Sequence, residues 1–373
     1  MKKALIAAAV ASALAAPSAM AADLSVNLEW GQALRFGEST VTDAGVDTTT
    51  DIQEVADAGR NRIKWNWTET LDNGIGVHAY LVFGNLNTAG GNPDFSDNTV
   101  SIRNANIGFS GDFGTVQVGT NEHFYEVDLI IDPLAADYLG TGDALAFMSL
   151  GRSGFNFLRR DGESVWWTSN DMNGIKARAA YIMGPQNATA DADQDGMIVG
   201  LSYASGPLFV GVNQATYNDY AVNGGVGAPV AGTEAQMTSF KVSYDMGVAK
   251  ITAAMWDTEQ SGLAGSTITN AGGDAVTDLS VDSSAIDITM PLAGGVAWVG
   301  MASQGDQDAT TAAGSQAITD SGKDGWHVGY LHNMSAQTYM FVRYGSQETG
   351  LNFDATGGST EQNEFLAGWL LNY

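Results

Sequence analysis

The sequence predicts an all-β fold, a 16-stranded antiparallel transmembrane β-barrel with short periplasmic turns and long extracellular loops. Three observations lead to this prediction. First, apolar side chains alternate up to an aromatic last residue, at Phe365, Ala367, Trp369, Leu371 and Tyr373. Second, the N-terminus has the pattern of an export signal. Third, tight turns recur between alternating segments. A period of two places alternate side chains on one face, as a strand between lipid and water requires.

Residues 1–21 have the parts of a secretory signal peptide. Lys2 and Lys3 precede an apolar run from Ala4 to Ala16, and Ala19-Met20-Ala21 has the small-x-small pattern of a cleavage site. A retained anchor helix is the alternative, but the run is shorter than the roughly 20 residues that span a bilayer. We therefore expect cleavage after residue 21 and a single barrel domain over residues 22–373.

The composition restricts the classes of function. The chain has no cysteine, so an exported protein of this kind is held by packing and hydrogen bonds. Loss of residues 1–21 would remove two lysines and no acid, which changes the formal charge from −26 to −28. Such a protein repels nucleic acid and attracts cations. Beyond residue 21 no apolar stretch is long enough for a membrane helix, so strands would have to span a membrane.

The predicted strands show one apolar and one polar face. In the first, Leu34 and Phe36 share a face, while Glu29 and Arg35 share the other. Lipid outside and water inside would produce this division. We predict sixteen strands, at residues 25–36, 61–69, 75–84, 100–110, 115–120, 163–169, 175–183, 196–204, 208–217, 236–244, 248–257, 284–291, 296–304, 325–332, 338–346 and 364–373. An even number returns both termini to the short-turn rim.

One segment departs from the two-face rule. Arg103 has the same parity as the apolar Ile107 and Phe109. This parity predicts either a β-bulge in the strand or a contact of that face with another subunit.

Short and long connections alternate along the chain. The tight turns are at residues 72–74, 111–114, 170–174, 205–207, 245–247, 292–295 and 333–336, and the other connections are longer, acidic and rich in Gly, Ser, Thr and Ala. This alternation of short turns and long loops is typical of outer-membrane barrels. A soluble sandwich or solenoid would also alternate. It would not place Trp and Tyr repeatedly near strand ends, where interfacial aromatic girdles lie.

A short acidic motif raises the question of a metal. Asp191, Asp193 and Asp195 match the opening of an EF-hand calcium loop, but the twelfth position is Ser202 instead of the bidentate Glu. We interpret the segment as a solvated loop and expect no cofactor. Weakly bound calcium, or divalent ions that bridge lipid phosphates, is the alternative.

Motifs for enzymatic function are lacking. The chain has no Gly-x-Ser-x-Gly, no His-Glu-x-x-His and no phosphate-binding glycine loop. The histidines are scattered without metal-ligand spacing, at His78, His123, His327 and His332. We expect a protein that is not an enzyme, with a barrel-embedded phospholipase and a surface adhesin as the weaker alternatives.

Several passages resemble the general bacterial (Gram-negative) porins. They are residues 61–65 with 69–74, 103–119, 160–165 and 329–335, together with the terminal strand. The chain departs from the family pattern in two places. Tyr373 stands where the family usually ends in Phe, and Trp166-Trp167 stands where a basic residue often follows.

The resemblance implies an outer-membrane homotrimer of sixteen-stranded barrels. Each barrel would be a water-filled channel for passive diffusion of small hydrophilic solutes and ions, with a solute-specific channel as the nearest alternative. The third long loop would fold into the lumen, here between Thr120 and about Asp161. Acidic residues of this segment, expected at the constriction, are Glu122, Glu126, Asp128, Asp132 and Asp137.

The resemblance also places bases on the facing wall. The matching positions are Arg62, Arg103 and Arg160. Alternation along the strands places three further bases on the face toward the lumen, Arg35, Lys64 and Arg178. Acids facing bases would set a transverse field across the pore. Because acids outnumber bases, we expect a mild preference for cations. The implied partners are outer-membrane lipid, lipopolysaccharide and the assembly machinery that recognises the terminal strand, with Phe365, Trp369, Leu371 and Tyr373.

Overall fold

The computed structural model describes residues 22–57, 61–84, 101–122, 149–150, 155–156, 160–183, 195–219, 231–263, 274–350 and 358–372. Among these residues, no helix is long and apolar enough to cross a membrane. They contain strands β1 (Asp23–Asp43), β2 (Val46–Asp57), β3 (Arg62–Thr70), β4 (Gly76–Gly84), β5 (Ser101–Gly111), β6 (Gly114–Glu122), β7 (Ser149–Leu150), β8 (Phe155–Asn156), β9 (Arg160–Thr168), β10 (Ile175–Ile182), β11 (Gly196–Ser205), β12 (Leu208–Asn218), β13 (Glu234–Asp245), β14 (Lys250–Ser261), β15 (Val276–Leu292), β16 (Gly295–Gln304), β17 (Gln307–Thr311), β18 (Gly314–Ile318), β19 (Lys323–Asn333), β20 (Thr338–Gly350) and β21 (Gly358–Asn372).

The strands close into an antiparallel barrel. β1 pairs with β21 from Glu29 opposite Asn372 to Asp43 opposite Gly358, which joins the two ends of the sheet. β2 and β3 lie end to end along β1 and share one position in the ring. In the same way β17 continues β16 beside β15, and β18, which pairs with β17, continues β19, which pairs with β16. The ring therefore has sixteen positions, and the predicted number of strands is confirmed.

The tight-turn rim matches the prediction. All seven predicted turns join neighbouring strands; at the first, the amide of Leu71 donates to the carbonyl of Ile75 at 2.8 Å. Gly74 has a φ of 80° there, and the side chain of Asn73 accepts a hydrogen bond from the amide of Ile75. Positive φ at this position explains why the turn uses glycine.

The loop rim differs from the prediction. β1, β15, β20 and β21 extend well beyond the predicted segments, and the hairpins β1–β2 and β17–β18 were missed. β2 is exposed along most of its length, and the buried residues of β17 include the polar Gln307 and Thr311, so the apolar–polar alternation that revealed the other strands is lost. The β1–β2 turn is Ala44-Gly45, with φ of 50° and 77°, a pair that is not among the usual hairpin sequences.

The two faces of the terminal strand are as predicted. Phe365 and Trp369 lie on the outer face with 41% and 51% of their surface exposed, whereas Glu364 and Leu366 on the inner face are buried. Leu371 is half-buried, and Tyr373 lies outside the described residues. The apolar outer stripe is what a strand against lipid requires.

The inner wall is less uniformly polar than the alternation predicts. From β9 to β18 it carries a continuous cluster of buried apolar side chains, which includes Trp166, Tyr217, Met237 and Trp256. A smaller cluster lies around Trp298 beside the β1–β21 seam. The packed core of the molecule is therefore inside the barrel, because the outer apolar faces are reserved for lipid.

The β1–β21 seam supplies a test of barrel closure. A Cβ at Gly368 would lie 2.3 Å from the carbonyl oxygen of Gln32 and 2.8 Å from the Cα of Ala33. We expect Gly368→Val to lower the fraction of protein that folds, since overpacking alone costs about 1–3 kcal/mol. The measurement is the heat-dependent shift in gel mobility that separates folded from unfolded barrels.

Ala367→Val is the matched control. Ala367 neighbours Gly368 on the same strand but belongs to the outer stripe, where an added side chain meets lipid. Equal folding of the two variants would contradict the assigned seam.

Candidate pore wall

Three of the predicted basic residues stand at one level of the barrel. Arg62, Arg103 and Arg160 each lie eight residues before the last residue of their strand, β3, β5 and β9. At about 3.3 Å per residue, this places them about 26 Å along the strands from the tight-turn rim. Their strands alternate around the ring, so second neighbours are about 10 Å apart. The structure thus brings these backbone positions onto one sector of the wall.

Local geometry differs among these positions. Arg62 is buried on the inner face, 9% exposed. Arg160 is opposite Glu122 in the β6–β9 register, although its side chain lies outside the described residues. The β6–β9 pairing is irregular between Gly119 and Asn121, and Gly119 has a φ of 123°. Glu122 is half-buried at the end of β6.

A bulge explains the parity of Arg103. Val82 pairs with Asn104 and Phe83 pairs with Ile102, so Arg103 has no counterpart on β4. The extra residue shifts the alternation and turns Arg103 inward, where its side-chain stem lies over Gly84. Of the two explanations left open by the sequence, the bulge is the one that the structure shows.

Arg35 bridges two carboxylates on the inner wall. Its Nε donates to Glu364 Oε2 at 2.9 Å and its Nη1 donates to Glu54 Oε1 at 2.7 Å. Glu364 is 3% exposed and also interacts electrostatically with Arg343 on the neighbouring strand. Four charges on β2, β1, β21 and β20 therefore alternate in sign along the wall.

Three members of this network were not predicted from the sequence, namely Arg343, Glu54 and Glu364. The signal for Arg343 was present, because Val342 and Tyr344 beside it face outward and an inward Arg follows from parity. Glu54 had no such signal, since it lies on β2, which was not predicted.

The remaining predicted bases have separate partners. Lys64 Nζ donates to Glu29 Oε1 at 2.5 Å. Arg178 Nη2 approaches Asn213 Oδ1 at 3.4 Å, and Asn213 in turn donates to Ser239. Arg178 lies only three residues from the turn end of β10, so it stands below the level of Arg62. The predicted basic residues that the structure describes therefore occupy one half of the ring, from β1 to β10.

The expected acidic loop is only partly within the described residues. Glu122 is included, whereas Glu126, Asp128, Asp132 and Asp137 lie outside them. The short hairpin strand β7 follows β6 in the chain but contacts β15, which is six positions around the ring from β9. β7 thus lies across the ring from β6 and β9, the wall strands that precede and follow it in the chain. Trp166, at the departure from the family pattern, is buried in the inner wall.

The three histidines within the described residues have separate partners. Buried Asp287 and His327 approach within 3.5 Å across β16, while His78 contacts Gln117 and His332 contacts Tyr330 elsewhere. Within the described part of the chain, no group of three or more His, Cys, Asp or Glu side chains is placed to hold a metal. Asp195 accepts a hydrogen bond from Asn218, and Asp191 and Asp193 lie outside the described residues.

A closed antiparallel barrel with an apolar outer face and charged groups inside defines an integral outer-membrane β-barrel protein. A family model described as Gram-negative porin matches residues 7–351. The chain therefore belongs to the Gram-negative porin family and forms a multi-pass barrel in the outer membrane. No curated protein sequence matches it.

Solved structures share the fold over nearly the whole chain. An anion-selective porin from Comamonas acidovorans is 18% identical, with a TM-score of 0.67 over 95% of this chain and 100% of that one. The trimer form of OmpT, an outer membrane protein of Vibrio cholerae, is 14% identical with a TM-score of 0.64 over 95% and 100%. Salmonella typhi OmpF in complex with daunomycin is 15% identical with a TM-score of 0.58 over 94% and 97%. At these identities the likeness shows the fold.

The Arg35 network predicts that two similar substitutions lower the free energy of unfolding by different amounts. Glu364→Gln should lower the free energy of unfolding by about 3 kcal/mol, because the buried guanidinium of Arg343 and the partly buried one of Arg35 then lose the carboxylate that lies between them. Glu54→Gln, at a carboxylate that is 44% exposed and bonds the same arginine, should cost less than about 1 kcal/mol. Denaturant unfolding in detergent, followed by tryptophan fluorescence, measures both. Equal costs would show that burial does not control this network.

Proposed function

We propose that the protein is a general diffusion porin, a water-filled channel for passive transport of small hydrophilic solutes and ions. The closed ring of sixteen strands carries the proposal, since barrels of this size leave an aqueous channel. Inward charges such as Arg35, Lys64 and Arg62 support it, because charged side chains inside a barrel favour a hydrated lumen. Permeation of this kind needs no cofactor and no catalytic group.

We place the constriction at the level of Arg62, Arg103 and Arg160, with Glu122 beside them. The equal distance of these residues from the tight-turn rim supports this level. The contact of β7 with β15 supports a third loop that crosses the barrel and brings Glu126, Asp128, Asp132 and Asp137 opposite the bases. Acids facing bases would orient polar solutes and disfavour apolar ones.

The proposed assembly is a homotrimer in contact with outer-membrane lipid and lipopolysaccharide. The trimer form of the OmpT structure from Vibrio cholerae supports the oligomeric state by analogy. The outward stripe with Phe365 and Trp369 supports contact with lipid. We propose that the assembly machinery recognises the same terminal strand.

The proposed channel has a mild preference for cations. Wall bases are offset by nearby acids, since Arg35 bonds two carboxylates and Lys64 bonds one. The electrostatic field in the lumen is then set by the net charge of the whole chain, in which 42 acids exceed 16 bases. The protein from Comamonas acidovorans is described as anion-selective, so the sign of the preference distinguishes this chain from a protein with the same fold.

Reversal potentials in planar bilayers under a KCl gradient test this proposal. We expect ohmic conductance with potassium more permeant than chloride. Lys64→Gln should increase that preference, because it leaves the carboxylate of Glu29 without its cationic partner. Lys176→Gln is the control, since Lys176 is exposed beside the tight-turn rim.

Three results would decide against parts of the proposal. Protein that folds but gives no conductance would remove the channel and favour a surface adhesin. Clear preference for chloride would remove only the cation selectivity. Saturable transport of one solute would favour a solute-specific channel instead of general diffusion.

A further inference from the structure

Large inward side chains of this barrel lie flat over glycines of the adjacent strand. In four directly paired positions, a Cβ on the glycine would fall within 2.2 to 2.7 Å of a ring atom of the facing residue. These pairs are Gly108 with His78, Gly196 with Tyr217, Gly300 with His327 and Gly329 with Trp298. The recurrence shows a rule of the inner wall, in which glycine leaves the space that a neighbouring side chain occupies.

The physical reason is the direction of side chains in a sheet. A side chain normally stands perpendicular to its strand and would project into the lumen. To lie along the wall it must cross the neighbouring strand, about 4.8 Å away, and a Cβ there blocks the path. Glycine removes that obstacle and keeps the lumen wide.

Arg103 obeys the same rule at the level of the proposed constriction. A Cβ at Gly84 would lie 2.1 Å from Arg103 Cδ and 2.6 Å from its Cγ. The bulge on β5 turns Arg103 inward, and Gly84, the last residue of β4, is buried beneath its stem. Arg103 itself is half-buried, so it borders both the wall and the lumen.

We infer that Gly84 is a positioning residue that holds Arg103 flat against the wall, and that this contact sets the open cross-section and the local charge of the pore. The inference rests on the proposed channel function. A methyl group at position 84 displaces the stem of Arg103 toward the lumen, because the backbone of β4 closes the other side. The pore becomes narrower at this level, and a positive charge moves closer to its axis.

Single-channel conductance and reversal potential of Gly84→Ala test the inference. We expect conductance to fall by about 1.2- to 2-fold, with a weaker preference for cations, since pore width and lining charge control permeation. Gly84→Ala combined with Arg103→Ala should have the conductance and selectivity of Arg103→Ala alone, because the displaced group is then absent. A merely structural role for Gly84 would not produce this dependence on Arg103.

Gly162→Ala is the matched control. Gly162 is also a strand glycine, on β9, but it is exposed, and its Cβ would meet only Thr120 Oγ1 at an ordinary 3.6 Å. Its conductance should equal that of the unmodified protein.

The outcomes separate this inference from the channel proposal. If the unmodified protein conducts and folded Gly84→Ala has the same conductance and reversal potential, the inference is wrong and the channel stands. If the unmodified protein does not conduct, the channel proposal fails first. If Gly84→Ala does not fold, folding of the double variant with Arg103→Ala supports the contact, and failure of both variants overturns it.

Discussion

The backbone hydrogen bond is the interaction on which the rest of this structure depends. No water is available in hydrocarbon to satisfy an unpaired amide or carbonyl, so a sheet in a membrane must have no free edge. The chain meets this constraint by pairing β1 with β21 over fifteen residue pairs, from Glu29–Asn372 to Asp43–Gly358. Closure of the ring then decides which side chains face lipid and which face each other inside.

The division between lipid and lumen also moves the packed core to an unusual place. Large apolar side chains such as Trp369 face outward and are half exposed in the isolated barrel. Stability must therefore come from the strand ladders and from the inner wall, where Trp298 packs beside Phe341 and Leu366. Buried charges lie next to this apolar group, and Glu364 links Arg35 on one side to Arg343 on the other. Charges that shape the lumen are thus also part of the structural framework.

Much of the fold follows from local pattern. Strand number, the tight turns and the outward stripe of the last strand were predictable because lipid on one face and water on the other imprint a period of two. The pattern fails at the loop rim. β2 is exposed along most of its length, and the buried face of β17 includes the polar Gln307 and Thr311, so neither strand opposes an apolar face to a polar one. It also left Arg103 ambiguous, because a bulge breaks the parity on which the argument relies. Among the site residues, Arg62, Lys64 and Arg35 were found from parity or resemblance, whereas Glu364 and Arg343 were overlooked as partners.

The sequence by itself determined that this chain is a sixteen-stranded barrel with one face for lipid, since that information is carried by neighbours in the chain. Only the tertiary structure decided which groups meet inside. Arg35 and Glu364 are 329 residues apart and pair because closure places their strands side by side. The Arg103 side chain lies over Gly84 because a one-residue bulge shifts the register of β5. Such contacts depend on register and closure, which are properties of the whole ring, so the parity of a single segment does not identify the partner.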